Sequence, residues 1–440
     1  MAQKEIVYFV GAGLSKALEK PGKRIPLMYD FVSVMAEYVR DDPIILQALV
    51  QLENGGFFAW ASPQASDLAS RIVGRVAAPQ KVVQFRDAMK RRPAESIEDL
   101  LLKASSLSAS QERRADYAPL EEVMRRSAPA NAPKQFTYAI SRLFGHWIGW
   151  DVDWCPLEAF LNHQLASYPL EAHKHCLVNF NYDLLLDRAI QRIAHDAHHP
   201  NEPSWHPSTG YGFEVGWYLR EPEQLACPSV SGGVVTAGTA ERTEAHPLPL
   251  VQSGNVVQLK PHGSLNWIVR HDKDHQSGEV GLLVDPDTPV FLPLTNAESL
   301  DLDYWRAEKQ ECANIYYKPQ SNANFGEAHG SIFLVPPTAP AKKTRPAFLT
   351  KVREAEKAAI READEVLVIG WSMPVTDQDQ ICTIRCCVAE REKAFESVTV
   401  INRGEHPEYF ERIADTFGVT RSRLRIFNNG FSDYVEHCTS

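Results

Sequence analysis

Three polar residues in this chain are of types that, brought together, do acid–base and electrostatic chemistry: Asn181, Asp183 and His262. A neutral imidazole titrates near working pH, so His262 is a candidate general base. An amide donates and accepts at once, so Asn181 can orient a water or a hydroxyl group. Asp183 supplies negative charge that would favour a developing cation. Each also has a plain structural alternative. His262 could satisfy a backbone group at a strand end, and Asn181-Tyr182-Asp183 could serve as turn and N-cap before a helix over 184–193. A fourth stretch, Gly11-Ala12-Gly13-Leu14-Ser15, has the makings of a phosphate-binding turn, with glycines permitting close backbone approach at a helix N-terminus. Its fingerprint is incomplete, because Lys16 stands where the third glycine is expected.

What must position these groups is a set of short apolar runs. Val7-Tyr8-Phe9-Val10 is continuous and rich in β-branched and aromatic residues, as suits a strand buried on both faces. Similar runs are HCLVNF at 175–180, VVQLK at 256–260, SIFLV at 331–335, EVLVIG at 365–370, SVTVIN at 397–402 and LRIF at 424–427. Helical stretches intervene, the clearest over 346–364. Strands alternating with helices predict an α/β fold with a Rossmann-like parallel sheet covered by helices on both faces. In such sheets ligands lie outside the carboxyl ends of the strands. Read at each strand end, the sequence gives Gly11 to Ser15, Asn179 to Asp183, Pro261-His262-Gly263-Ser264, Pro336-Pro337-Thr338, Gly370-Trp371-Ser372-Met373-Pro374 with Asp377 beyond, and Asn402-Arg403-Gly404. One rim of the sheet is therefore polar.

Long inserts separate these segments. Residues 41–170 read as a mostly helical insertion between 1–40 and 171–440. Within the latter, 196–250 reads as loop, and 271–330 carries a possible hairpin around Pro286-Asp287. The chain has 440 residues, 44% hydrophobic and 23% charged, ordinary for a globular protein. No apolar stretch approaches the roughly 20 residues that span a bilayer. The first apolar run is short and leads into a glycine turn, unlike a signal peptide, so a cytoplasmic location is expected. A net charge of −10 argues against non-specific nucleic-acid binding. The eight cysteines, Cys155, Cys176, Cys227, Cys312, Cys382, Cys386, Cys387 and Cys438, contain no C-x-x-C pair. That spacing fits a reducing compartment rather than a zinc ribbon or a disulfide framework. The Cys382, Cys386, Cys387 trio reads as ordinary helix burial. The group His195, Asp196, His198, His199 and His206 lacks a clean ligand pattern, so no metal is expected.

The ordered set Gly-Ala-Gly-x-Ser (11–15), Asn-Tyr-Asp (181–183), His-Gly-Ser (262–264), Pro-Pro-Thr (336–338), Gly-x-Ser-x-Pro (370–374) and Ile-Asn (401–402) resembles the sirtuin-like family, in its prokaryotic branch. The resemblance implies NAD+ lying across the strand ends, with contacts from Gly11, Ala12, Gly13, Ser15, Ser264, Gly370, Ser372 and Asn402. Ser372 and Asn402 would take the adenosine ribose or the phosphates; simple loop capping is their alternative. By the same resemblance His262 lies against the nicotinamide ribose and acts with Asn181 and Asp183. Breaking the nicotinamide–ribose bond makes an oxocarbenium-like centre, as in glycoside hydrolysis. Two departures narrow the expectation. The four-cysteine zinc module of the lysine deacylases is missing, and Phe180 replaces the glutamine of their glutamine-asparagine-x-aspartate motif.

Relatives with these features are typically NAD+-hydrolysing effectors of bacterial anti-phage defence. They work as homo-oligomers or with a HerA-like ATPase, an Argonaute or a nucleotide-sensing subunit. The resemblance thus implies an NAD+ glycohydrolase that is gated until triggered. The alternatives are an NAD+- or ADP-ribose-binding regulatory subunit and a zinc-free deacylase. The helical insert and 196–250 are the candidate gates, and part of the aromatic stripe Phe136, Tyr138, Phe144, Trp147, Trp150 is expected at a subunit contact.

Overall fold

The computed structural model describes residues 4–21, 24–27, 29–40, 43–54, 63–72, 79–96, 99–100, 140, 143, 152–166, 173–196, 204–220, 230–231, 234–235, 245–248, 250–269, 280–284, 331–334, 347–374 and 377–439. Along the chain the strands are β1 (Lys4–Val10), β2 (His173–Asn179), β3 (Trp217–Arg220), β4 (Val230–Ser231), β5 (Val234–Val235), β6 (Ala245–Pro247), β7 (Val256–Leu259), β8 (Gly263–Val269), β9 (Val280–Val284), β10 (Ser331–Leu334), β11 (Glu365–Ile369), β12 (Ser397–Ile401) and β13 (Leu424–Phe427). The helices are α1 (Ala12–Ala17), α2 (Phe31–Tyr38), α3 (Pro43–Asn54), α4 (Pro63–Ile72), α5 (Pro79–Lys90), α6 (Cys155–Leu161), α7 (Leu185–Asp196), α8 (Ala347–Glu362), α9 (Gln378–Ala389), α10 (Pro407–Thr416) and α11 (Phe431–Thr439).

Six strands form one sheet in the order β13-β12-β11-β1-β2-β7, and every pairing is parallel. Phe9 of β1 stands opposite Val178 on one side and Val368 on the other. The central strands are buried along most of their length, which is why they read as unbroken apolar runs. Counted from β1, the chain adds β2 and β7 on one side, then returns to add β11, β12 and β13 on the other. That is the Rossmann order, 3-2-1-4-5-6, and it puts the topological switch point between β1 and β11. The predicted α/β fold class is therefore correct.

SIFLV is not part of this sheet. As β10 it pairs antiparallel with β8 in a second sheet of order β10-β8-β9-β3-β6, so the strand-end rule does not extend to it. Pro336-Pro337-Thr338 and Pro286-Asp287 lie outside the described residues. The loop reading of 196–250 is also corrected, since β3 and β6 fall within it and pair in the second sheet. Trp267 of that sheet packs edge-on against Phe348 at 5.9 Å, and Phe213 lies 5.2 Å from the same ring. These aromatics anchor the start of α8.

Within the expected helical insertion α4 packs on α3 and on α5, and both α3 and α5 pack on α2. The helix α6 instead packs against the parallel sheet, where Phe160 meets Tyr8 at 6.1 Å. Among the described residues no helix is long and apolar enough to cross a membrane, and no group of side chains could hold a metal ion. The described cysteines are free; Cys387 is buried, but Cys382 and Cys386 are exposed, contrary to the expected burial.

Candidate functional site

The turn after β1 is held against the turn after β11. Gly11 N–H donates to Ile369 O at 3.0 Å, and Gly13 N–H donates to Gly370 O at 2.9 Å. The expected phosphate cradle therefore spends two of its N–H groups on the neighbouring strand end. A Cβ built on Gly13 would fall 2.6 Å from Gly370 Cα, and one built on Gly370 would fall 2.5 Å from Leu14 N. Gly370 also has φ +58°. The glycines are required here by backbone meeting backbone at the switch point.

Ser15, one turn into α1, faces the turn after β2. Its hydroxyl donates to Asp183 Oδ2 at 2.7 Å and accepts from Asn181 Nδ2 at 3.1 Å. Asn181 Nδ2 also donates to Gly11 O at 3.1 Å. The structure thus joins Gly11, Ser15, Asn181 and Asp183 in one buried network. Asp183 is at the same time a helix cap, because its Oδ1 accepts Leu185 N–H at 3.1 Å. Burial pushes its carboxyl upward, against the opposing pull of the Ser15 hydroxyl and the Lys260 charge.

The third side of the network carries residues that pattern reading passed over. Lys260, fully buried at the end of β7, donates to Asp183 O at 2.7 Å and to Asp187 Oδ2 at 3.0 Å. Gln258 and Tyr211 also donate to the Asp187 carboxylate, at 3.1 and 2.7 Å. A lysine at the end of an apolar run carries no local signal that it will be buried; only its partner on α7, 73 residues earlier, decides that.

Two residues after Lys260 comes His262, 4% exposed and walled by aromatic rings. Its ring centroid lies 5.4 Å from that of Phe180 and 6.3 Å from that of Tyr182. Phe180 also lies tilted against Trp371, with ring centroids 4.6 Å apart. His262 Nε2 lies 3.5 Å from Asp377 Oδ1. Burial, helped by the Arg353 charge, lowers the imidazole to about 3, so the ring is neutral and the contact is not an ion pair. Burial raises Asp377 to about 6, against a hydrogen bond from Trp371 Nε1 to Oδ2 at 2.8 Å. Asp377 Oδ1 is buried with no hydrogen-bond partner among the described residues.

Behind this pair, α8 contributes Arg353 and Glu356. Arg353 donates to Glu356 Oε2 at 3.2 Å, and Gln380 donates to Glu356 Oε1. Burial raises Glu356 to about 7, with Arg353 the largest opposing cause.

The remaining expected residues are more dispersed. Ser264 is fully buried within β8 and donates to Asn266 Oδ1 at 2.7 Å, so its hydroxyl serves the second sheet. Ala12 and Ser372 are exposed, and Asn402 is half-buried at the end of β12, where its N–H donates to Phe427 O at 3.0 Å. Met373 has φ +51°, a left-handed conformation rare for residues other than glycine, in the turn that carries Trp371 and Asp377. His206 binds Ser208 Oγ through Nδ1 at 2.7 Å, while His198 and His199 lie outside the described residues. Comparison with protein-family models and with curated proteins gives no match to this chain.

The arrangement puts a neutral imidazole, a carboxylate, an amide and a second carboxylate at one end of a parallel sheet. Phe180, Tyr182 and Trp371 keep the imidazole corner dry, and low-dielectric surroundings strengthen each polar contact.

Proposed function

We propose that the protein is an NAD+ glycohydrolase releasing nicotinamide and ADP-ribose. The observation that carries the reading is the position of Ser15, Asn181, Asp183, His262 and Asp377. They come from segments far apart in sequence, yet meet at the carboxyl ends of β1, β2, β7 and β11, around the switch point of a Rossmann-ordered sheet. Asn181 has both amide hydrogens engaged by Gly11 O and Ser15 Oγ, which leaves Oδ1 to orient a water or ribose hydroxyl. Asp183 supplies charge toward the oxocarbenium-like centre, and His262 takes the proton of the attacking group. The resemblance of the six motifs to sirtuin-like defence effectors supports a gated enzyme that depletes NAD+ on activation, as an oligomer or beside a partner subunit.

Incubating the purified chain with NAD+ and separating the products tests this directly. His262→Ala and Asn181→Ala should each lower nicotinamide release by at least ~10²-fold, the scale of a lost acid–base group. Full activity in both folded variants would remove these residues from the mechanism. One observation favours the second reading, a module that binds NAD+ or ADP-ribose without cleaving it: Ser15, Asn181 and Asp183 already satisfy one another. Tight binding with no nicotinamide released, alone or beside a partner, would select that reading.

A further inference from the structure

The groups around His262 are arranged for more than burial. Asp377 is presented by a short turn after β11, and one oxygen is fixed by the Trp371 indole N–H at 2.8 Å. The other, Oδ1, points to His262 Nε2 at 3.5 Å and has no other partner among the described residues. Both side chains are about 95% or more buried, so water does not compete for the gap. A buried carboxylate oxygen left without a donor is costly, more so when it is charged. Among the described residues the imidazole N–H is the donor placed to answer it. The turn also carries the left-handed Met373, and such strain persists only where the surroundings hold the backbone in place.

We propose that Asp377 is the positioning residue for His262: its carboxylate accepts the Nε2–H, fixes the tautomer, and stabilises the imidazolium that forms during turnover. The proposal rests on the reading of His262 as the base. With Nε2 protonated, Nδ1 is the basic nitrogen. A proton from the attacking water or from a ribose hydroxyl passes to Nδ1, giving an imidazolium whose Nε2–H remains on Asp377. When the C–N bond breaks, nicotinamide leaves with the bonding electron pair, water supplies the new C–O bond, and the proton on Nδ1 is released to solvent.

This role answers a difficulty in the site. Alone in its aromatic pocket His262 is a weak base, held at about 3 by burial. A facing carboxylate lowers the cost of charging the ring as the proton arrives. The groups facing Asp377 are His262 from the end of β7, Trp371 from its own turn, and Arg353 and Glu356 from α8. Asp377 is raised to about 6, so the acceptor is ionised above that pH and lost below it. Activity of the wild-type protein should therefore fall as pH drops through about 6.

The experiment uses the full chain with Asp377→Asn and Asp377→Glu, and two readouts. Turnover of NAD+ across pH 5–8 should show kcat lowered at least ~10-fold in D377N, KM little changed, and the acidic limb near pH 6 gone, since a lost tautomer-fixing carboxylate can cost far more. D377E should regain part of the rate together with the limb. The second readout needs no turnover: nitrogen-15 NMR of the His262 ring, assigned by its loss in His262→Ala. The wild-type ring should be the Nε2–H tautomer, and D377N should shift it toward Nδ1–H. A wild-type Nδ1–H tautomer, or one unchanged in D377N, overturns the pairing whether or not NAD+ is cleaved. An NAD+-cleaving D377N with an unaltered pH profile overturns the positioning role alone. A wild-type chain that shows the pairing but releases no nicotinamide, alone or with a partner, overturns the role in turnover by overturning the enzymatic reading beneath it.

Discussion

A side chain at Gly13 would collide with the Gly370 backbone, and this changes what a substitution there does. The sequence suggests that Gly13→Val blocks a pyrophosphate while the fold survives. With a Cβ at 2.6 Å from Gly370 Cα, the two turns at the switch point must separate. Gly13→Val should therefore lower the melting temperature, with a loss of roughly 1–3 kcal/mol or more as for other overpacked sites. An unchanged melt would mean that the turns are free to part. Met373 shows the same tightness from the other side, since a left-handed non-glycine backbone costs about 1–2 kcal/mol. At this scale the sequence shows which residue types end each strand. It does not show which hydrogens are already spent: Gly13 N–H on Gly370, or Ser264 Oγ on Asn266. The first depends on a neighbour hundreds of residues away, and the second on whether 263–269 is a strand, which puts Ser264 and Asn266 on one face.

The elements that aim the site are β7 and α7, joined by Lys260. Its ammonium ties the end of an edge strand to Asp187 and to the Asp183 carbonyl, so the turn holding Asn181 and the turn holding His262 share one post. Among the described residues, Lys260→Met would leave the buried Asp187 carboxylate with Tyr211 and Gln258 as its side-chain donors. A broken buried pair costs about 3–5 kcal/mol, so the urea midpoint should fall well below that of the wild type. An unshifted midpoint would show that the post carries no stability. The strands of the parallel sheet are legible because burial on both faces demands near-continuous apolar runs. The elements β3 and β6 were not, because four and three residues among Pro, Gly and Ser leave no periodicity to detect. SIFLV reads as a strand, and is one, but it belongs to the second sheet, since nothing local distinguishes a parallel strand from an antiparallel one.

Over the whole molecule, the expectation that remains is assembly. The stripe Phe136, Tyr138, Phe144, Trp147, Trp150 lies outside the described residues, and its proposed place at a subunit contact stands on composition alone. Light scattering should find an oligomer, or a chain that becomes one with its partner, and nicotinamide release should rise on assembly. A monomer that cleaves NAD+ rapidly without a partner would show the gating idea to be wrong. The strand order has one more consequence. Glu5 on the central strand bonds Asp364, 359 residues later in the chain. At about 5–20 residues per second, a ribosome needs on the order of half a minute to deliver the partner of β1. Until then one side of the central strand is unpaired, and neither Trp371 nor Asp377 exists. The reactive corner is therefore among the last features of the parallel sheet to be completed, and nascent chains spend most of their synthesis with nothing for a substrate to meet.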